Sequence, residues 1–285
     1  SVSAFLLNRS SDLLVWLSSV VNELNGAHNK RFNHIVLTSD IDMSSYRWTP
    51  IGYNTMNYLH CVSFNGNNHV ISGLYCNNRT EELQGLFGFW EEGDIHNLTL
   101  TQCEVQGLMY VGAIAGYSQD GNIYNCVVNG NVKGSVYAGG IVGHSFRSVM
   151  NSCFVGTVSG ESFEVYGGIT NCYSVNNNSR IYYNDNNSTF SGMGNTWTLN
   201  TPAYINGAYH SDLVDALNAW VDEHNTDGKY RRWVADSAMV NGGYPVFEAF
   251  SYLIKIFLAI IISSGDLFSF TILFKKLKVK SSILL

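Results

Sequence analysis

Glycine and small apolar positions recur along the middle of the chain at a nearly constant interval. The segments QGLFGF, MYVGAIAGY and VYAGGIVGH begin at residues 84, 109 and 136, and they align on their glycines. The alignment continues downstream with steps of 28 and then 27 residues. The aligned sets are Gly85, Ala113 and Gly140; Leu86, Ile114 and Ile141; Gly88, Gly116 and Gly143; Phe89, Tyr117 and His144; Ile95, Ile123 and Met150; Asn97, Asn125 and Ser152; and Leu98, Cys126 and Cys153. A register held over three copies indicates an internal repeat.

Within each copy the hydrophobic positions follow the spacing of strands. In NIYNCVVNGNVKG the apolar residues stand at mostly even spacing between turn residues, and no copy has a helical period. A repeat of about this length fits one coil of a solenoid. The sequence therefore predicts an all-β fold, a right-handed parallel β-helix over residues 34–175 with about 27–28 residues per coil. A shortened fourth copy, VYGGIT, ends the series at residues 165–170.

The recurring glycines could be mistaken for a phosphate-binding loop. AGGIVG lacks the spacing of a dinucleotide-binding motif, opens no helix and recurs, which a single phosphate site would not do. The glycine positions are instead predicted to let the backbone bend and pack closely. Asn97 and Asn125 are predicted to stack at a turn, where amide side chains can bond to each other.

Solenoid ends expose apolar surface and need caps. Residues 1–33 are predicted as a helical N-terminal cap, with Ser10 or Ser11 starting an amphipathic helix. After an Asn-rich loop at 176–200, residues 201–250 are predicted as a C-terminal cap, with a helix starting at Ser211 and a hairpin turning at 241–243. The loop is a candidate for recognition or for disorder.

Composition fits strands and argues against nucleic acid as a partner. The chain of 285 residues has 27 Gly, 3 Pro and 13% charged residues, and its net charge is −6. Residues 251–285 differ, because the apolar segment 256–274 is followed by KKLKVK. That pattern predicts membrane association through 256–274 or a poorly packed tail, and Asp266 inside it opposes a membrane span. The chain begins with Ser and shows no signal peptide, which favours a mature form or a fragment.

Several stretches resemble the GLUG-motif repeat family over about residues 10–175. They are HIVLTSDIDMSSYRWTPIG, SFNGNNHVISGLY, QGLFGFWEEGDIHNLTL and the two G-x-I-x-G copies. The family comprises large secreted or surface-attached, adhesin-like bacterial proteins, and similar repeats flank the catalytic domain of IgA-specific zinc metallopeptidases. The resemblance implies a secreted or cell-surface location. It transfers no catalytic residue, because the peptidase signature H-E-x-x-H is absent from this sequence.

The titratable residues predict no catalytic, metal or cofactor site. Asp40 and Asp42 share one side of a strand, but two carboxylates complete neither a calcium shell nor a mechanism. Six cysteines leave disulfides open, and buried thiols are favoured because Cys126 and Cys153 replace Leu98 in the repeat. The sequence has no C-x-x-C pair, the spacing that would predict a zinc site.

Aromatic residues are the candidate ligand contacts. They are Phe89, Tyr110, Tyr117, Tyr124, Tyr137 and His144. Stacked rings along a solenoid face could bind a glycan or an extracellular protein, or could shield the corners of the coils. The sequence thus favours a non-enzymatic adhesin-like module that binds or presents a partner. A carbohydrate-active enzyme on the same scaffold and the repeat flank of a larger metallopeptidase are the alternatives.

Overall fold

The computed structural model describes residues 5–7, 11–23, 31–55, 58–160, 164–165, 169–170, 172–174, 203–205, 208–238, 241 and 243–248. The chain divides into two compact units, residues 1–247 and 248–285. The described residues belong to the first unit, apart from Glu248. The predicted tail and the loop at 176–200 therefore lie outside the described residues. Helices α1 and α2 are Ser11–Glu23 and Leu213–His224.

Most of the described chain is in short strands. Strands β1 to β10 are Phe5–Leu7, Arg31–Leu37, Ile41–Asp42, His60–Asn65, Val70–Ser72, Tyr75–Asn77, Leu83–Gln84, Phe87–Glu92, Asp94–His96 and Thr99–Gln106. Strands β11 to β18 are Tyr110–Gly112, Ala115–Asp120, Ile123–Tyr124, Val127–Lys133, Tyr137–Gly139, Val142–Ser145, Val149–Met150 and Cys153–Ser159. Strands β19 to β25 are Glu164–Val165, Ile169–Thr170, Tyr173–Ser174, Ala203–Ile205, Ala208–His210, Trp233–Val234 and Val246–Phe247.

Four parallel sheets run along the molecule. Sheet A has the order β1-β2-β4-β9-β13-β17-β20, and sheet B has the order β3-β5-β10-β14-β18-β21 with β6 also beside β10. Sheet C is β8-β12-β16-β19, and sheet D is β7-β11-β15. One coil passes through all four sheets, as β11, β12, β13 and β14 do in succession. The predicted parallel β-helix is confirmed.

The core is built from inward positions that stack from coil to coil. In sheet A the strand register places Ile35, Phe64, Ile95, Ile123 and Val149 above one another, each almost fully buried. The same arrangement in sheet B stacks Ile41, Ile71, Leu100, Val128 and Phe154. Burying a side chain of this size contributes roughly 1.5–3 kcal/mol each, so the columns account for much of the stability of the solenoid.

The repeat register differs from the sequence alignment in the third copy. Ile123 pairs with Val149 instead of Met150, a step of 26 residues, whereas Tyr117 and His144 pair as predicted with a step of 27. The third coil is therefore one residue shorter where it passes from sheet C to sheet A. The shift moves every downstream position of this copy.

Besides the Met150 column, this shift corrects two further predicted columns. Asn125 aligns with Asn151 and not with Ser152, because both asparagines have the left-handed backbone conformation, with φ of 53° and 44°. Cys153 pairs with Val127, so Cys126 and Cys153 do not share a position. Cys126 belongs to the solenoid core, whereas Cys153 packs in the cluster formed with α2.

The glycines of the repeat lie where sheets C and D touch through their backbones. A Cβ atom added to Gly116 would lie 2.5 Å from the Tyr110 carbonyl oxygen, and one added to Gly143 would lie 2.5 Å from the Val111 nitrogen. No side chain fits between strands at that separation. The predicted close packing at the Gly116 and Gly143 positions is thus observed, and it fixes sheet D against sheet C.

Helix α1 packs on the first coils through side-chain bonds to the backbone. The Ser18 hydroxyl donates to the Thr49 carbonyl oxygen at 2.7 Å, and the Asn22 amide donates to the Pro50 carbonyl oxygen at 2.9 Å. Leu14 and Leu17, on the buried face of the helix, are completely buried. The predicted helix at this end is present.

Helix α2 packs against outward-facing residues of sheet B. Its N-cap is Asp212, one residue after the predicted Ser211, because the Asp212 carboxylate accepts the Asp215 amide at 2.8 Å. The buried face of α2 forms a cluster with Val127 and Cys153 on β14 and β18. The described contacts of the C-terminal segment therefore run along the side of the solenoid. The predicted hairpin is formed by β24 and β25.

A row of asparagine side chains marks the corner between sheets A and B. The amide nitrogen of each donates to the side-chain oxygen of the one below: Asn97 to Asn65 at 3.2 Å, Asn125 to Asn97 at 2.9 Å, and Asn151 to Asn125 at 2.8 Å. We call this row the asparagine ladder. Its left-handed residues suit asparagine, which tolerates this conformation better than most residues do.

The segment Lys229–Trp233, which we call the strap, lies against the asparagine ladder. Asn125 donates to the Lys229 carbonyl oxygen at 2.8 Å and accepts the Arg231 amide at 3.1 Å. The Trp233 indole donates to the Asn151 side-chain oxygen at 2.6 Å. From the other side, Asn218 of α2 bonds to both backbone groups of Trp233. The strap is thus held between the solenoid and α2.

Candidate functional site

Seven rings meet on the outward side of sheets C and D, and we call them the aromatic cluster. The first column runs from Tyr58 through Phe89 and Tyr117 to His144, with centroid distances of 5.7, 5.3 and 4.7 Å. The second column pairs Tyr110 with Tyr137 at 5.3 Å. Phe146 completes the set: Tyr58, Phe89, Tyr110, Tyr117, Tyr137, His144 and Phe146.

The rings are arranged in a herringbone. Tyr110 and Tyr137 are parallel within 2°, and Tyr117 and His144 are parallel within 7°. Between the columns the planes are nearly perpendicular, with Tyr110 at 85° to Tyr117. Offset stacking and edge-to-face contact are the two preferred aromatic geometries, each contributing about 0.5–1.5 kcal/mol beyond area burial. The cluster is therefore preformed and rigid.

The backbone of the repeat produces this arrangement. Tyr117 pairs with Phe89 and with His144 in adjacent coils, and Tyr110 pairs with Tyr137. Because parallel strands place paired residues about 4.8 Å apart, side chains at one repeat position must stack. The direct backbone contact of sheets C and D then brings the two columns within contact distance. Five of the six aromatic residues predicted from sequence meet in this way.

Tyr124, the sixth, lies elsewhere. It belongs to sheet A, stacks on His96 with a centroid distance of 5.0 Å, and has the Lys229 ammonium 4.1 Å above its ring. Burial raises the pKa of the Tyr124 hydroxyl and lowers the pKa of His96 to about 4. Because Lys229 belongs to the strap, Tyr124 contributes to holding that segment.

Sequence reasoning missed Tyr58 and Phe146. Tyr58 lies before the recognisable copies, so no repeat position pointed to it. Phe146 occurs two residues after His144, a spacing that places both on one side of an extended chain, and that signal was available. Phe146 is the most exposed apolar side chain of the cluster, at 44%. It contacts His144 and Tyr117 edge to face at 5.1 and 5.9 Å.

Charged side chains border the aromatic cluster at the end of sheet C. Asp120 accepts from the guanidinium of Arg147, with Nε 3.0 Å from the carboxylate oxygen Oδ1. Glu92 pairs with Asp120 in the coil below, and His60 lies 3.0 Å from Glu92. The border is negative apart from Arg147, which gives the cluster an edge suited to hydrogen bonding.

Asp40 and Asp42 shape turns. Asp40 accepts the Val70 amide at 3.0 Å and lies 3.0 Å from the His69 ring nitrogen. Asp42 accepts the Ser44 amide at 2.9 Å, and that hydrogen bond lowers the pKa of the Asp42 carboxyl. An acid and base pair needs environments that raise one pKa well above the other, and these bonds favour the ionised form of Asp42.

The cysteines lie in the solenoid as thiols. None of the six, all within the described residues, forms a disulfide. Burial raises the pKa of four of them to about 12, namely Cys61, Cys76, Cys103 and Cys126. Thiols with so high a pKa are poor nucleophiles and poor metal ligands.

The described part of the chain has neither a cluster of metal ligands nor a membrane-spanning helix. There, no three His, Cys, Asp or Glu side chains come together as ligands for a metal ion. None of the described helices has the length and apolarity to cross a membrane.

Comparison with known proteins identifies the repeat. Residues 107–133, which form the coil of β11 to β14, match the GLUG motif. The chain thus carries a GLUG repeat, as predicted, and the motif includes Tyr110, Tyr117 and Gly116. No curated protein matches the chain. Among solved structures it is similar to a proposed immunoglobulin A1 protease from Bacteroides ovatus, at 15% identity and a TM-score of 0.43, over 86% of this chain and 92% of that one.

Proposed function

We propose that this chain is a non-catalytic binding module of a secreted or cell-surface protein, and that the aromatic cluster contacts its partner, a glycan or an extracellular protein. The observation that carries the proposal is the position of the seven rings. They come from successive coils of the solenoid and form one cluster, in which Phe89 and His144 are buried and Phe146 is 44% exposed. The GLUG repeat at residues 107–133 supports the surface location.

The geometry of the rings suits binding. Tyrosine and other aromatic side chains offer a large contact area with few rotatable bonds, so little conformational entropy is lost when a partner binds. Here the rotamers are already fixed, because Tyr117 stacks between Phe89 and His144 and also contacts Tyr110 edge to face. The tyrosine hydroxyls add hydrogen-bonding groups at the same surface.

The hydrogen bonds and ion pairs of the acidic residues favour a binding function over a catalytic one. Polysaccharide hydrolysis uses two carboxylates flanking one bond. Asp40 and Asp42 accept backbone amides of separate turns, and Asp120 is paired with Arg147. The GLUG repeat is not itself a catalytic motif.

Binding of the purified full chain to arrays of glycans and extracellular-matrix proteins tests the proposal. We expect retention of at least one partner without its cleavage. Tyr117→Ala and Tyr137→Ala should each weaken retention about tenfold or more. Tyr53→Ala is the matched control, since Tyr53 is a 40% exposed aromatic residue outside the cluster.

Two outcomes would contradict the proposal. One is retention that Tyr117→Ala and Tyr137→Ala leave unchanged while both variants keep the far-ultraviolet circular dichroism of the wild type. The other is cleavage of an array ligand, which would favour the carbohydrate-active enzyme.

A further inference from the structure

We infer that Phe146, Arg147 and Asp120, at the edge of the aromatic cluster, form a subsite for one neutral pyranose unit of a glycan. This inference rests on the proposed function, because it names the ligand class that the aromatic cluster binds. Its three components are an exposed ring, a hydrogen-bonding pair beside it, and the charge around them.

The Phe146 ring provides an apolar surface of fixed orientation. His144 and Tyr117 hold it edge to face at 77° and 71°, and the Phe146 amide donates to the Ser118 carbonyl oxygen at 3.0 Å. The ring therefore cannot turn freely, and 44% of the residue is exposed to solvent. A pyranose presents one face of axial C–H groups, and a rigid aromatic ring whose π face is negative attracts such polarised C–H bonds.

Arg147, the residue after Phe146, and Asp120 provide a donor and an acceptor. Both Nε and Nη2 of Arg147 donate to the same carboxylate oxygen, Oδ1 of Asp120. Within the described part of the chain, no hydrogen bond occupies Nη1 of Arg147 or Oδ2 of Asp120. The two side chains are about half exposed, at 55% and 51%.

This pair matches two neighbouring hydroxyls of a sugar. One hydroxyl can accept from Nη1 while the next donates to Oδ2, and hydrogen bonds to ionised groups are stronger than those between neutral groups. Because the guanidinium and the carboxylate already orient each other, binding needs little reordering. Arg147 directly follows Phe146 in the chain, and Asp120 comes two residues after Ser118, whose carbonyl oxygen accepts the Phe146 amide. The ring and the ion pair therefore belong to the same two neighbouring segments of sheet C.

The surrounding charge selects a neutral sugar. Asp120 already offsets the charge of Arg147, and Glu92 stands one coil below Asp120. A uronic acid, sulfated or phosphorylated unit would meet these carboxylates and be repelled. A protein partner would bury the ion pair at a desolvation cost, whereas sugar hydroxyls can satisfy its open donor and acceptor.

Isothermal titration calorimetry with the full chain tests the subsite. The probes are neutral hexasaccharides of glucose, mannose and galactose, with hexagalacturonate as the acidic comparison. We expect at least one neutral probe to bind and the acidic probe to bind at least tenfold more weakly. Phe146→Ala should weaken binding tenfold or more, whereas Phe146→Tyr, which keeps the ring, should stay within about twofold.

Asp120→Asn and Arg147→Lys should each weaken binding about three- to tenfold, because Asn has one acceptor oxygen in place of two and Lys lacks the several nitrogens with which Arg147 can bond Asp120 and a hydroxyl together. Tyr53→Ala is again the control for an exposed aromatic residue elsewhere. Thermal melts confirm that each variant is folded. The affinity of each folded variant can then be compared with that of the wild type.

The outcomes separate the inference from the proposed function. Preference for the acidic probe, or binding only to proteins that Tyr117→Ala weakens, would overturn the neutral-sugar subsite and leave the aromatic cluster as a binding surface. Binding of a neutral probe that Phe146→Ala leaves unchanged would also overturn it. Binding insensitive to Tyr117→Ala, Tyr137→Ala and Phe146→Ala together would overturn both.

Discussion

At the scale of single residues, the repeat glycines leave room for one strand against another. Gly116 is enclosed by backbone, with the Tyr110 oxygen 2.5 Å and the Gln84 nitrogen 2.9 Å from the place a Cβ would take. We predict that Gly116→Ala lowers the free energy of unfolding by about 3 kcal/mol, since backbone cannot yield as a side chain can. Urea unfolding followed by tryptophan fluorescence measures the change.

Gly134→Ala is the matched control for that substitution. The atoms nearest its added Cβ are side-chain carbons of Ala138 and Val111 at 3.0 and 3.1 Å, whereas Gly116 has a backbone oxygen at 2.5 Å. We expect a loss of less than about 1 kcal/mol there. Equal losses at the two glycines would refute the account of sheets C and D in direct backbone contact.

The cysteines give a second prediction at this scale. Burial raises the pKa of Cys61, Cys76, Cys103 and Cys126 to about 12, so these thiols stay protonated at neutral pH. We predict that they react with Ellman's reagent at pH 8 only as the protein unfolds. The less buried Cys172 should react first in the native protein. Rapid labelling of the four in native buffer, measured by mass spectrometry after digestion, would contradict this.

At the scale of elements, the asparagine ladder attaches the C-terminal segment to the solenoid. Asn125 uses both its donors and both its acceptor positions, on Asn97, Asn151 and two backbone groups of the strap. We predict that Asn125→Ala destabilises the protein by about 3 kcal/mol, because it leaves buried polar groups without partners. The amide of Arg231 should then exchange hydrogen faster, as mass spectrometry can measure.

Asn129→Ala is the control for the ladder. Asn129 follows on the next strand, β14, and lies outside the row of bonded carboxamides. It should change stability by less than about 0.5 kcal/mol. Slow exchange of the Arg231 amide in Asn125→Ala would show that the ladder does not hold the strap.

Particular elements show what the sequence could and could not predict. The coils, both helices and the β24–β25 hairpin follow from spacing and capping residues, which act locally. The register of the third copy does not, because Asn151 and Ser152 are adjacent and either could align with Asn125 until the left-handed φ of Asn151 is seen. The strap was also unpredictable, since the asparagine ladder binds mainly its backbone.

The candidate site divides in the same way. The two columns of the aromatic cluster are repeat positions, so Phe89, Tyr117 and His144 could be grouped in advance. Their contact with Tyr110 and Tyr137 depends on the angle between sheets C and D, which no spacing reveals. Tyr124 was grouped with these residues in error. It also lies in a repeat copy, but it belongs to sheet A and contacts the strap.

At the scale of the whole molecule, stability is the sum of coil-to-coil contacts and of the contacts that hold the C-terminal segment. His96 is close to contacts of both kinds. Its ring stacks on Tyr124 of the next coil, and its Nδ1 lies 2.9 Å from the amide nitrogen of Asn97 in the ladder. Burial is the main cause that lowers the pKa of His96 and so favours the neutral ring. The charge of Asp94 raises this pKa, and the charges of Lys229 and His34 lower it further.

Acid should therefore weaken the fold through His96. Its pKa falls from 6.5 to about 4 on folding, so between these values the unfolded chain binds more protons. The contribution of neutral His96 to the free energy of unfolding is complete above pH 6.5. It is lost as the pH falls toward 4, and the loss is roughly 3 kcal/mol in all. We predict that His96→Gln flattens the dependence of the unfolding free energy on pH between pH 4.5 and 7.5. A slope identical in wild type and His96→Gln, measured by urea titration, would place the acid sensitivity elsewhere.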